Sequence, residues 1–466
     1  MKRLVVRLAV YVLIFLMFMG GMGLYGFNRH QKDFYLNIRH EPVPSLQGLN
    51  IPKYNPNKPT VAVVLADSSI PTEDFDFLIP YELLSMTDAY NVYAVAPDKN
   101  VKSLSGGLDV LPHYSYIELD NLLNKSPDII VIPYMPIDIP KVDELKYQPT
   151  RKWIQKHSRS KTTTFVSICG GSMNLADAGL LKGKSATSHW QALPGLMKKY
   201  TYTHWKEDLR YVHEGNTLTS AGQSAGIDGV LYLISQQLGE PVAAKISKEI
   251  SYPSYQFVQN PKVAPFYRDI KFATYLLNIG FHWNKKQMGV LLYKDMDEIA
   301  LSSIFDSYGD TGTTQVLTVS SSDAPITTKH HLNILARHQI SNAPKFDKMI
   351  IPGGDAKSLA AADVRLWNEK GNAKETLLIH SDSPNRYVFE APLEDLAKQE
   401  DLLTAKHAVK RFEYRANGIH LEGKPLPLET YGNVLLTGLL ALLAAFCIDR
   451  RFIMKKTIFK SYKQAS

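Results

Sequence analysis

Residues 163–180 read TTFVSICGGSMNLADAGL, and their order of side chains decides the fold. Thr163–Ile168 reads as a buried strand, continuing the strand and helix alternation of the chain before it. It leads directly into Cys169, Gly170 and Gly171, after which Met173, Ala176 and Leu180 recur at helical spacing. Strand, tight glycine turn and helix form a nucleophile elbow, which lifts one side chain above the edge of a sheet. A helix N-terminus beside a thiol favours the thiolate and offers backbone N–H groups to an oxyanion, so a thiol of lowered pKa is expected at Cys169. A buried cysteine ahead of a glycine turn also serves packing alone, and the local pattern leaves both readings open.

The same alternation extends outward. Val61–Ala66 (VAVVLA), Asn91–Ala96 (NVYAVA) and Asp128–Pro133 (DIIVIP) read as buried strands, with a helical pattern over Phe77–Thr87. Strands alternating with helices predict an α/β fold, a doubly wound and mostly parallel sheet. The pattern then repeats. Met288–Pro352 restates the opening strands of Val61–Pro133, including a KFDKMIIPGG segment matching SPDIIVIP, but carries no second cysteine elbow. This is a degenerate second α/β lobe, packed on the first domain or on a partner.

The formal charge of +8 does not belong to this body. Lys2, Arg3 and Arg7 at one end, and Arg450, Arg451, Lys455, Lys456, Lys460 and Lys463 against Asp449 at the other, carry all of it. A neutral body removes the electrostatic basis for nucleic-acid binding. Residues 8–27 and 431–448 are free of charge and long enough to read as transmembrane helices. A cleaved secretory signal for the first and a buried core helix for the second are the alternatives. With both basic clusters terminal to the spans, the expected localisation is the cell membrane, double-pass, with both termini cytoplasmic and the body outside. The organisation expected is a tail over 1–7, a span over 8–27 and a juxtamembrane linker over 28–57. A first domain over 58–250, a connector over 251–287 and a second lobe over 288–425 follow, then the span over 431–448 and a basic tail over 449–466. Two cysteines, Cys169 and Cys447, are too few for a disulfide framework.

Val166–Trp190 (VSICGGSMNLADAGLLKGKSATSHW) and Leu218–Ile234 (LTSAGQSAGIDGVLYLI) closely resemble the ThiJ/PfpI superfamily, nearest to isocyanide hydratases and the amidase-like sensor domains of AraC-type regulators. The resemblance covers roughly residues 58–250 and implies a flavodoxin-like fold. It implies Cys169 as nucleophile, Asp76, four residues before Pro80, as the acidic partner, and His189 as a neighbour of the thiol, with Gly170 and Gly171 as oxyanion-binding backbone. The readings beside it are a solvated helix-start acid for Asp76 and a structural loop histidine for His189. Gly170 stands where the proteolytic branch has histidine, so a peptidase is not expected. Tyr134 and Met135 replace the usual glycine pair after the third strand, while the second lobe keeps Pro352, Gly353 and Gly354. Trp190 belongs to the family pattern, and Trp205 reads as core or pocket wall.

The functions implied are a cysteine-dependent hydratase or hydrolase of a small electrophile, a non-catalytic ligand or stress sensor, or a structural scaffold. The expected partners are a small molecule, the membrane and a second copy of the chain. No cofactor and no metal are expected, and His330, His331 and His338 read as solvated or packing residues.

Overall fold

The structure, a computed structural model, describes residues 2–46, 48–137, 139 and 142–454. Lys455, Lys456, Lys460 and Lys463 of the expected tail lie outside the described residues. Thr60–Val64 is the central strand of a seven-stranded sheet, and all five of its residues are buried because helices cover both faces. Val61 and Val63 point into one core, with Phe75, Phe77 and Ile227. Ala62 and Val64 point into the other, with Tyr116, Tyr147 and Leu175. The strand order is Tyr211–Glu214, Thr217–Ser220, Thr164–Ser167, Ile129–Ile132, Thr60–Val64, Asn91–Ala96 and Tyr114–Ser115. Only the first pair is antiparallel.

The helix expected over 77–87 runs instead over Asp74–Ser85. Its start moves forward because the Glu73 carboxylate accepts the Asp76 N–H at 2.7 Å, a side-chain cap that apolar periodicity does not reveal.

The second lobe is more complete than the sequence pattern suggests. His338–Gln339, Thr314–Ser320, Lys286–Leu291, Lys348–Ile350 and Thr376–Leu377 form an all-parallel sheet in the order of the five matching first-lobe strands. It packs on the first domain. Asp109–Leu111 of the first lobe pairs antiparallel with Asn333–Leu335 of the second, so one small sheet is shared. Across the helix pair Asp74–Ser85 and Glu298–Tyr308, Glu82 accepts the Ile299 N–H at 2.6 Å and Ser302 donates to Asp74 at 3.3 Å. The two lobes are thus joined inside one chain by a shared small sheet and a helix pair.

Among the described residues, two helices are long and apolar enough to cross a membrane. Lys2–His30 and Leu428–Ile448 lie against each other, and Arg7 donates to both carboxylate oxygens of Asp449, at 2.7 to 3.1 Å. Their contact is antiparallel, with Phe15 near Gly438 and Arg7 beside Asp449. The segments expected as linker and connector are ordered parts of the body. Phe34 is fully buried against Gly106 and Gly309, and residues 251–287 contain the helix Ile270–Phe281, which packs on both long helices.

Candidate active site

Cys169 has φ 52°, the left-handed region that a non-glycine residue enters only at a cost. The strand Thr164–Ser167 ends one residue before the turn and the short helix Gly171–Asp177 begins just after it. Close packing holds the turn in place. A Cβ on Gly171 would collide with the Ile132 carbonyl, and one on Gly170 would stand 2.7 Å from the Tyr134 ring. Two departures from the family pattern therefore fit each other. Tyr134, standing where a glycine is usual, fills the space that a side chain at position 170 would need.

The thiol opens into a cleft of about 360 Å³ lined by Glu73, Tyr134, His189, Gln191, Gln223 and Arg411 among others. Asp76 lies beneath, fully buried. Its Oδ2 accepts the Tyr134 N–H at 3.0 Å, and Oδ1 has no partner among the described residues. The Asp76 carboxyl is raised well above the ordinary range, chiefly by burial. The Cys169 thiol is also raised, by burial first and then by the negative charges of Asp76 and Glu73, while a hydrogen bond from the Gly170 N–H works the other way. The lowered thiol pKa expected from the elbow is thereby corrected. The helix is only seven residues long and its dipole does not offset desolvation plus two carboxylates. Nor is a hydrogen bond formed between Asp76 and the thiol among the described residues.

Gly170 faces the sulfur with its N–H, whereas the Gly171 N–H donates to the Ile168 carbonyl at 2.8 Å. His189 lines the cleft, held down to about 4 by burial and the adjacent Arg411 charge, so it is neutral at pH 7. Its Nε2–H donates to the Arg411 carbonyl at 3.2 Å, which fixes the tautomer. Trp190 turns away to pack with Phe266, Phe272 and His407, and Trp205 is half-buried against the second core.

Four lining residues escape local sequence reading. Gln191 Nε2 and Gln223 Oε1 are buried without partners among the described residues, a donor and an acceptor in one cleft. Gln191 directly follows the SHW segment, which is its only signal. Arg411 arrives from the second lobe and Tyr35 from beyond the first long helix, and no local pattern links either to Cys169. Arg411 is itself clamped by Asp306 at 2.8 Å and Asp310 at 3.1 Å.

The shared strand register puts His380 where Cys169 stands in the first lobe: Ile130 pairs with Phe165 and Met349 with Thr376, four residues before each. His380 is a buried brace. Its Nδ1 accepts the Gly353 N–H at 2.9 Å and its Nε2 meets the Val388 carbonyl at 2.9 Å, so the retained glycine corner is occupied from within. His330 pairs with Glu298 at 2.7 Å; these two and Glu82 bring ligand-type atoms within 4.8 Å of one another, as do Glu73, Asp74 and Asp306.

Comparison with known proteins turns on the lobe that holds this cleft. Residues 59–236 match the DJ-1/PfpI family. The isonitrile hydratase of Pseudomonas putida is 29% identical over 195 residues, covering 41% of this chain and 80% of the hydratase. The HTH-type transcriptional regulator CdhR of Pseudomonas aeruginosa is 37% identical over 98 residues, and this match covers 21% of the chain and 29% of the regulator. The crystal structure of Drosophila melanogaster DJ-1beta, 20% identical, aligns with 41% of this chain and 97% of its own at a TM-score of 0.35. The lobe that matches the DJ-1/PfpI family accounts for the sheet, the elbow and most of the cleft, while Arg411 and Tyr35 reach it from outside the matched residues.

Proposed function

We propose that the chain is a membrane-anchored DJ-1/PfpI protein whose body works outside the cell, with Cys169 adding to a small electrophile as a hydratase or hydrolase. The observation that carries this reading is the strained Cys169 at the mouth of a cleft that also holds His189, with the protonatable Asp76 carboxyl beneath. With an isocyanide, sulfur bonds to the terminal carbon while the thiol proton passes through a neighbouring carboxylate to that same carbon, giving a thioimidate. Water then adds across the C=N bond, hydroxyl to carbon and proton to nitrogen, and the C–S bond breaks as the hydroxyl proton returns to sulfur, releasing a formamide and the Cys169 thiol. The Gly170 N–H is the backbone donor nearest the developing charge. Gln191 Nε2 and Gln223 Oε1 orient the substrate's polar end, since each otherwise stays unpaired in a buried wall. The pairing of Arg7 with Asp449 supports both termini on the same, cytoplasmic side.

Peptide cleavage is not part of this function. Gly170 supplies no imidazole, and neutral His189 has its Nε2–H committed to a carbonyl. The test is incubation of the purified full-length protein with isocyanides, dicarbonyls and short peptides. Turnover of a small electrophile that is lost in Cys169→Ser supports the reading; cysteine-dependent peptide cleavage sinks it.

A second reading, ligand or stress sensing, is favoured by one observation. His30 at the end of the first long helix bonds Asp310 at 3.1 Å, Asp310 bonds Arg411, and Arg411 lines the cleft. A stable adduct at Cys169 without turnover is its expected signature.

A further inference from the structure

Ile270–Phe281 lies outside the cleft, where its Phe272 meets Trp190 of the first lobe and its Asn278 donates to Thr404 of the second. A Cβ on Gly26 would stand 2.6 Å from the Gly280 Cα and collide with the Ile279 carbonyl, while one on Gly280 would stand 3.3 Å from the Gly23 Cα. The backbone of this helix therefore rests directly on the backbone of the first long helix, as small residues allow. Its other side is tied to the second long helix, where Thr430 donates to Asn278 at 2.7 Å and Asn433 donates to the Phe281 carbonyl at 2.8 Å.

These contacts fix its depth. The apolar run 8–27 has a length of about 30 Å as a helix, which matches the hydrocarbon core. Gly23 and Gly26 lie in its last turn, so the helix resting on them sits where hydrocarbon gives way to headgroups. The side turned away from the protein is apolar. Ile270 is 64% exposed and Leu276 51%, with exposed Ala273 between them at helical spacing, and Tyr267 just ahead is 67% exposed. On the first long helix Tyr25 and Phe27, on either side of Gly26 in the sequence, are exposed as well, and Arg268 and Lys271 flank the stripe. A stripe of aliphatic residues edged by aromatic and basic ones is what an interfacial helix presents to a bilayer.

We propose that Ile270–Phe281 is a third membrane contact, lying in the outer headgroup region with Ile270 and Leu276 turned into the lipid. This rests on the reading of the two long helices as spans. It commits the surface to a lipid bilayer, because the helix is seated on the outer ends of both spans.

The test uses the full chain carrying Cys169→Ser and Cys447→Ser, reconstituted in phosphatidylcholine–phosphatidylglycerol vesicles. Single cysteines at Ile270, Leu276, Leu440 or Ile117 carry an environment-sensitive fluorophore. Position 440 lies within the second span and position 117 on an exposed helix of the first lobe. The expected result is that labels at 270 and 276 emit at shorter wavelength than at 117 and are quenched several-fold more by lipids with a shallow acyl nitroxide. Their quenching by aqueous iodide falls by a similar factor. Iodide-accessible, lipid-unquenched labels at 270 and 276, with 440 quenched by lipid, overturn the proposal alone. Loss of lipid quenching at 440 as well overturns the two-span reading together with it.

Discussion

Cys169, Asp76 and Glu73 share one desolvated wall, and ionising all three there is costly, so each is raised. The sign of the Asp76 effect on the thiol follows. Replacing the carboxyl with a neutral isostere removes a negative charge beside the sulfur, and Asp76→Asn is expected to move the pH profile of Cys169 alkylation to lower pH. Iodoacetamide kinetics between pH 6 and 10 provide the check; a shift to higher pH would mean that Asp76 donates to the thiolate. The same burial bears on stability. A carboxyl whose folded pKa lies above its unfolded value contributes stability that is complete below the ordinary carboxylate range and is lost as pH rises through the folded pKa. Thermal melts of wild type are therefore expected to rise on going from pH 7 to pH 5, and Asp76→Asn to flatten that rise. At this scale Cys169 was legible because a strand, two glycines and a helix are local in the chain. Its pKa was not, since the charges that set it come from a capping turn about a hundred residues away.

At the scale of elements, the elbow depends on a steric exchange between neighbouring turns. Gly170→His places a ring where Tyr134 now sits and is expected to cost about 1–3 kcal/mol by overpacking. Adding Tyr134→Gly is expected to recover most of it, which chemical denaturation of the single and double variants would resolve; additive losses would contradict the pairing of the two positions. The lobe interface has its own keystone. Asp109 is fully buried and accepts from Arg337 at 2.9 and 3.0 Å, Arg39 at 2.9 Å and Ser103 at 2.7 Å. It joins the segment after the first long helix to both lobes, so Asp109→Ala strips the buried Arg39 of its carboxylate and leaves Arg337 only the more distant Glu41, at 3.9 Å. The expected loss is about 3–5 kcal/mol, read from denaturant midpoints. A loss below 1 kcal/mol would show the network to be dispensable. The second lobe's opening strands were legible from their apolar runs. Its closing strand, Thr376–Leu377, spans two residues and carries no periodicity to read, which is why the place of His380 emerged only from sheet register.

Over the whole molecule, the cleft is a composite: an elbow from the first lobe, Arg411 from the second lobe and Tyr35 from the segment following the first long helix. That assembly ties the Cys169 thiol to two apolar helices that are paired through Arg7 and Asp449. The two cysteines report on the arrangement independently, since Cys169 opens into the cleft and Cys447 lies near the end of the second long helix. The most direct measurement treats intact cells with a small, membrane-impermeant thiol electrophile over pH 6 to 9 and quantifies both sites by mass spectrometry. The account predicts modification of Cys169 that increases with pH and is lost when an isocyanide or dicarbonyl occupies the cleft, with Cys447 labelled only after the membrane is opened. Protection of Cys169 in intact cells alongside free labelling of Cys447 would contradict it.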